Sequence, residues 1–193
     1  QDIPTTVLDH DAEMIETARS FGYRVFYGDA TRLDLLRLAG AAQARAVVVE
    51  VDDVEDANSI VDTVKTHFAQ AQLVVRVRDL THAFDMLDRG VTTFDRELFD
   101  ASMRSARRVL DAMGVDAQDA HRMVQSFHDH NIELMHASHR VRHDRNQLIA
   151  TAKQARADLE QQMSQDKTHH GHAQSHADAV ADHVRAPDDD GLG

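Results

Sequence analysis

Two textures alternate along the first hundred residues. Short runs rich in β-branched and apolar residues, at 5–8, 24–27, 46–49 and 73–77, are separated by stretches whose apolar positions recur every three or four residues. The runs predict strands, and the uninterrupted valines at 47–49 predict one buried on both faces, as in parallel sheets. The stretches between predict helices over 11–21, 31–39, 53–68 and 82–89, with Gly22, Gly40 and Gly90 as stop signals and Gly28 breaking the second strand. Strand and helix alternating at this rhythm predict right-handed βαβ units in a doubly wound parallel sheet.

After about residue 100 the strand signal disappears. A helix is predicted over 101–113, closed by Gly114, and then one long helix from about 116. Its apolar stripe runs through Ala120, Val124, Phe127, Leu134, Val141, Leu148, Ala152, Ala155 and Leu159 at spacings of four and three, interrupted by Asn131, Ser138 and Arg145. A heptad-like stripe of this length needs a partner subunit or helix pair to cover it. From about 167 the chain is polar and rich in His and Asp, too poor in apolar residues to offset the entropy of ordering. The expected divisions are therefore 1–99, 100–166 and a disordered tail over 167–193.

Composition narrows the chemistry. The chain lacks cysteine, which removes disulfides, thiolate metal sites and Cys nucleophiles. No apolar run reaches the roughly 18 residues that span a bilayer. The net charge of −12 is concentrated at the two ends: residues 1–99 carry 18 acids and 10 bases, 100–167 carry 10 of each, and 168–193 carry five acids and one base. No segment has the basic excess that nucleic-acid phosphates require, so no nucleic acid is expected as partner.

Candidate chemistry gathers at strand ends. Asp9 closes the first strand, where a Rossmann-type fold places the carboxylate that accepts hydrogen bonds from an adenosine ribose; an Asp in that place also serves as a helix cap. Gly28, Asp29, Ala30 and Thr31 follow the second strand, at the edge of such a sheet that lies beside the adenine, and Asp29 or Thr31 can equally be caps. A glycine fingerprint for the pyrophosphate is missing from the sequence. The expectation is thus a Rossmann-like sheet lacking its first strand, truncated at the amino end, followed by an α-helical extension.

The run from Val7 to Asp11, the segment from Val25 to Arg32 with Tyr27-Gly28-Asp29-Ala30-Thr31, the leucines after Asp34, Arg76-Val77-Arg78-Asp79 and Arg96-Glu97-Leu98-Phe99 together resemble the RCK (KTN, or TrkA-N) regulatory domain of glutathione-gated Kef potassium/proton antiporters over roughly residues 3–165. The resemblance implies a nucleotide pocket with Asp9 and His10 at the ribose and Gly28, Asp29, Ala30 and Thr31 near the adenine. The family's ligand there is NAD(H) or an AMP-type nucleotide, which a chain without the glycine turn holds less securely. It implies glutathione as the regulatory ligand at a dimer interface, with Arg96 and Asn131 at matching positions and Arg76 and Arg78 nearby. An Arg fork suits the two carboxylates of glutathione, and Asn131 offers both a donor and an acceptor. Asn131 can also set helix register, and either strand-end arginine can pair with Asp79 or another surface acid. Further implied partners are a transmembrane antiporter region, a second copy in a homodimer and an ancillary flavodoxin-like subunit, with the chain at the cytoplasmic face of the bacterial inner membrane.

The sequence departs from the family at Glu50-Val51-Asp52-Asp53, which keeps the acidic pair but not the small polar residues before it. Histidines at 136, 139 and 143 have the spacing of one helix face, and His169, His170, His172 and His176 resemble a chelating tract, but no carboxylate completes a convincing metal set. No strand-to-helix elbow carries a Ser nucleophile, so no catalytic residue is expected. Two other readings of the fold stay open: a regulatory subunit of a potassium channel or uptake system, and a fragment of an NAD-dependent oxidoreductase.

Overall fold

The computed structural model describes residues 3–163; the His- and Asp-rich tail lies outside the described residues. Residues up to 105 form one compact unit, and the described residues from 106 onward form another.

The first unit opens with β1 (Thr6–Asp9), α1 (Ala12–Ser20) and β2 (Arg24–Tyr27). It continues through α2 (Leu33–Ala39), a 3-10 turn (Ala41–Gln43), β3 (Ala46–Val49), α3 (Val54–His67), β4 (Gln72–Val77), α4 (Leu80–Asp88) and β5 (Phe94–Arg96). All strand pairing is parallel, and it falls into two ladders, β1–β2 and β3–β4–β5. A doubly wound order 3-2-1-4-5-6 with its first strand taken out leaves these two pieces, 3-2 and 4-5-6. The fold is therefore Rossmann-like.

The main core lies on the larger ladder. Ala57, Ile60, Val61 and Val64 form the inner stripe of α3 and are almost fully buried, with Phe68 just beyond the helix. They join Val49, Val75 and Val77 of the strands and Ala83 and Met86 of α4. Burial of an aliphatic side chain contributes roughly 1.5–3 kcal/mol, so this cluster dominates the unit's stability. The smaller ladder is thinner: Val7 and Leu8 are only half-buried, and Ile15 and Leu36 are its buried anchors.

The helix caps follow the sequence. Asp11 caps α1 and Asp53 caps α3, each accepting from two backbone N–H groups of the first turn. α2 starts at Leu33, later than the predicted residue 31, because Asp29 and Thr31 are bound to each other in the preceding turn. α4 starts at Leu80, before the predicted 82, because Asp79 is the cap and accepts from His82 N–H. β5 was not anticipated by the pattern, since its three residues include Asp95 and Arg96 and carry no apolar run.

α5 (Phe99–Ala112) runs out of the first unit into the second. There α6 (Ala117–Arg140), capped by Asp116, buries Ala120, Met135 and Ser138. The single long helix read from the stripe is interrupted: the chain turns at 141–144 and a further helix, α7, occupies 145–163. The reason is a second cap. Asp144 accepts from Asn146 and Gln147 N–H at 2.9 and 3.1 Å, which starts a new helix at a point where no Gly or Pro marks the break.

Candidate functional site

The first cluster sits at the carboxyl ends of β1 and β2. Gly28 N–H donates to the Asp9 carbonyl at 2.8 Å, which ties the two strand ends together. Asp9 Oδ1 accepts from Asp11 N–H at 2.9 Å, so the carboxylate is fixed by the turn that leads into α1. Asp29 Oδ1 accepts from both the backbone N–H and the hydroxyl of Thr31, at 2.8 and 2.7 Å. Those two bonds, with smaller help from Arg32 and His10, hold the Asp29 carboxyl below the usual carboxylate range. His10 is thus close enough for its charge to be felt at Asp29, and the candidates Asp9, His10, Gly28, Asp29, Ala30 and Thr31 form one rim. Gly28 is required there: its φ is +155°, and a Cβ would meet Leu35 Cδ1 at 2.3 Å.

This rim presents two carboxylates at adjacent strand ends. No described hydrogen bond falls on Oδ2 of Asp9 or Asp29, so each carboxylate keeps acceptor capacity for a donor group. The strand ends are also where open α/β sheets take their ligands.

The second cluster sits at the carboxyl ends of β3, β4 and β5 and is built on arginines. Arg76 is engaged on several sides: its Nη2 donates to the Glu50 carbonyl at 2.7 Å and to Asp52 Oδ1 at 2.8 Å, and Nη1 lies 3.3 Å from Glu97 Oε1. The bond to Asp52 is the main cause that raises the Arg76 pKa and lowers that of Asp52. Arg78 is exposed, and its backbone N–H donates to Nδ1 of the buried His82 at 3.2 Å. Arg96 is half-buried, with Cζ 3.6 Å from the centroid of the Phe99 ring. Burial pushes its pKa down, opposed by the charge of Asp100.

Asn131 lies half-buried on α6 in the second unit, apart in the chain from the three arginines of the first. Sequence reasoning assigned no role to Asp52, Glu97, Phe99 or His82. Glu97 and Phe99 stood inside the Arg96-Glu97-Leu98-Phe99 motif, so their nearness to Arg96 was a usable signal. Asp52 stood in the acidic pair after β3, but its pairing with Arg76 of a neighbouring strand was not legible, and His82 carried no signal. Among the described residues, no three His, Asp or Glu side chains gather as metal ligands, and no helix is long and apolar enough to cross a membrane.

Comparison with known proteins gives this geometry a family. The profile of the TrkA-N domain matches residues 1–94, and that of the potassium efflux system KefB C-terminal domain matches residues 101–179. A solved structure of the Kef C-terminal domain of Shewanella denitrificans, described as in AMP-bound form, is 34% identical, with a TM-score of 0.65 over 70% of this chain and 83% of that one. The chain belongs to the Kef family. The glutathione-regulated potassium-efflux system protein KefC of Salmonella arizonae is 35% identical over 90% of this chain, and that of Escherichia coli O139:H28 is 34% identical over the same share. The Kef chain described here spans 28% of the length of those relatives. Within the described residues, the two matched segments fall on the parallel-sheet unit and on the helices that follow it.

Proposed function

We propose that this Kef chain is a non-catalytic, ligand-sensing regulatory domain that controls potassium efflux through a potassium/proton antiporter at the cytoplasmic face of the bacterial inner membrane. The observation that carries the reading is the rim at β1 and β2, where the 2.8 Å bond from Gly28 to Asp9 sets two carboxylates, Asp9 and Asp29, at adjacent strand ends. A relative 34% identical is described as binding AMP, and an AMP-type nucleotide is the ligand assigned to this rim. NAD(H) is the longer alternative, whose pyrophosphate these residues alone do not hold.

Reduced glutathione or its adducts are assigned to the second cluster. Arg96 and Arg78 would meet the tripeptide's carboxylates. Arg76, committed to Asp52 and Glu97, would brace this second cluster. The control logic is a two-state equilibrium, biased only by a ligand with different affinity for the two states. A homodimer through the helical extension supplies those states: α5 buries none of its own residues, and Val109 and the adjoining Met113 are 56% and 74% exposed. The transmembrane antiporter region and an ancillary flavodoxin-like subunit complete the proposed assembly.

Two measurements test the reading. Calorimetry on the 193-residue chain should show heat for AMP, lost in Asp29→Ala, and heat for glutathione, lost in Arg96→Ala. The chain, placed in E. coli KefC in exchange for the matching segment, should restore adduct-triggered potassium efflux. Absence of ligand heat together with constitutive or no efflux in the chimera overturns the proposal.

A further inference from the structure

Arg78 and Asp79 alone carry the chain from the end of β4 at Val77 to the start of α4 at Leu80. Two bonds running in opposite directions close this turn. Asp79 Oδ1 accepts from His82 N–H at 2.9 Å, and His82 Nδ1 accepts from Arg78 N–H at 3.2 Å. Reciprocal bonds of this kind across a first helical turn make a capping box, here with the return bond reaching the residue before the cap. The usual residue at the third helical position of such a box is Glu or Gln, which accepts through an oxygen. In this chain the acceptor is an imidazole nitrogen, and it accepts only while the ring is neutral.

The ring has little else to hold it. His82 is 2% exposed, and its Nε2 is buried without a hydrogen-bond partner. Burial favours the neutral ring; the charges of Asp85 and Asp79 oppose that preference and the charge of Arg89 supports it. Arg89 is in turn paired with Asp62 of α3. On the strand side stands Arg78, whose side chain is exposed and close enough for its charge to lower the pKa of Asp52 in the arginine cluster. Protonation places a hydrogen on Nδ1 and sets two donors against each other across the former bond. Either the ring leaves its place or the turn opens. With only two residues in the turn, both movements displace Arg78.

We propose that His82 is a positioning residue for the second cluster and its proton switch: the neutral ring holds the turn that presents Arg78 to a carboxylate of glutathione, and the protonated ring releases it. This rests on the assignment of Arg78 to glutathione made above. The domain then senses acidity as well as its ligand, and holds glutathione less tightly as pH falls. By reciprocity, bound glutathione favours the neutral ring.

The test uses the 193-residue chain with reduced glutathione as probe. Calorimetry spans about pH 8 to 5.5, where both carboxylates of the ligand stay ionised, with circular dichroism confirming that each chain is folded at each pH. In the wild type, Kd should rise on acidification, approaching about tenfold per pH unit below the His82 pKa, because the binding-competent fraction shrinks by that factor. His82→Gln keeps an acceptor in the box and does not titrate. It should match the wild type at the alkaline end and keep most of that affinity at the acid end. His82→Leu, which offers no acceptor, should bind weakly throughout. A merely structural histidine would leave the pH profile of the Gln chain parallel to that of the wild type, and that result overturns the proposal. A second arm needs no variant: in the 15N-labelled wild type the Arg78 amide resonance should follow the titration of the His82 ring. An Arg78 amide that stays fixed while His82 titrates also overturns the proposal. No heat from glutathione at the alkaline end, with the Arg78 amide still following His82, overturns instead the glutathione assignment itself.

Discussion

Gly28 and Leu35 are in direct contact: a Cβ on Gly28, itself at φ +155°, would stand 2.3 Å from Leu35 Cδ1 and force that side chain to move. The contact closes α2 onto the end of β2, and through the bond from Gly28 N–H to Asp9 it also fixes the end of β1. Gly28→Ala should therefore do two things. It should destabilise the first unit by about 1–3 kcal/mol, from the backbone conformation and the displaced leucine. It should also weaken AMP more than glutathione, because the distortion falls on the rim that carries Asp9 and Asp29. Urea midpoints and paired calorimetric titrations check both, and equal losses for the two ligands would count against separate sites.

Thr31 sets the charge state of Asp29. Both of its donors reach the same carboxylate oxygen and lower the pKa of that group. The sign follows from linkage: a depressed carboxylate contributes stability that is present above the unfolded-state pKa and lost as pH falls through the folded one. Thr31→Val removes the hydroxyl donor and keeps the shape. The Asp29 carboxyl carbon, followed by NMR, should then titrate at higher pH than in the wild type. The acid-side loss of stability should become shallower below about pH 4.

His82 gives the opposite end of the pH range a handle. It is 2% exposed, and its Nδ1 accepts from Arg78 N–H, so the neutral ring carries its proton on Nε2. Burial lowers its pKa, against the charges of Asp85 and Asp79 and with that of Arg89. A buried neutral histidine contributes stability that is full above the unfolded value and lost as pH falls toward the folded one. The wild type should thus lose stability between about pH 7 and 5, and His82→Gln should flatten that slope. In an NMR titration His82 should stay neutral at a pH where exposed histidines are half-charged. Equal slopes for the two chains would remove His82 from the account.

The elements that were legible in the sequence are those whose signal is local. β3 with its valines and α3 with its buried stripe depend on residues within one turn or one run. The same holds for the turn at Gly28–Thr31, where the glycine and the two polar side chains are neighbours. What the pattern missed depends on partners distant in the chain or on a single cap. β5 exists because Val75, Arg76 and Val77 of β4 offer it a ladder, not because its own residues demand a strand. The break at 141–144 rests on Asp144, one polar residue in a stretch full of them. Arg76 and Arg96 looked alike as basic strand-end residues, and only the structure shows that Arg76 is bound to Asp52 and Glu97 while Arg96 lies over the Phe99 ring.

Arg76 joins three strand ends. Its bonds to the Glu50 carbonyl and Asp52 hold the segment after β3, and its approach to Glu97 holds the turn between β5 and α5. Arg76→Met keeps the apolar stem of the side chain and removes the charge, at an expected cost of about 1–2 kcal/mol. Arg76→Lys, with a point charge in place of a planar fork, should recover only part of it. The contribution of Glu97 can be isolated by a double-mutant cycle of Arg76→Met with Glu97→Gln, where a coupling of about 0.2–1 kcal/mol is expected for a half-exposed pair. A second consequence concerns Arg96, next in sequence to Glu97. Loosening the Glu97 turn should broaden the Arg96 side-chain resonances and weaken glutathione more than AMP. Arg76→Met with unchanged stability and unchanged binding would show that the ion pairs at this edge are incidental to the site.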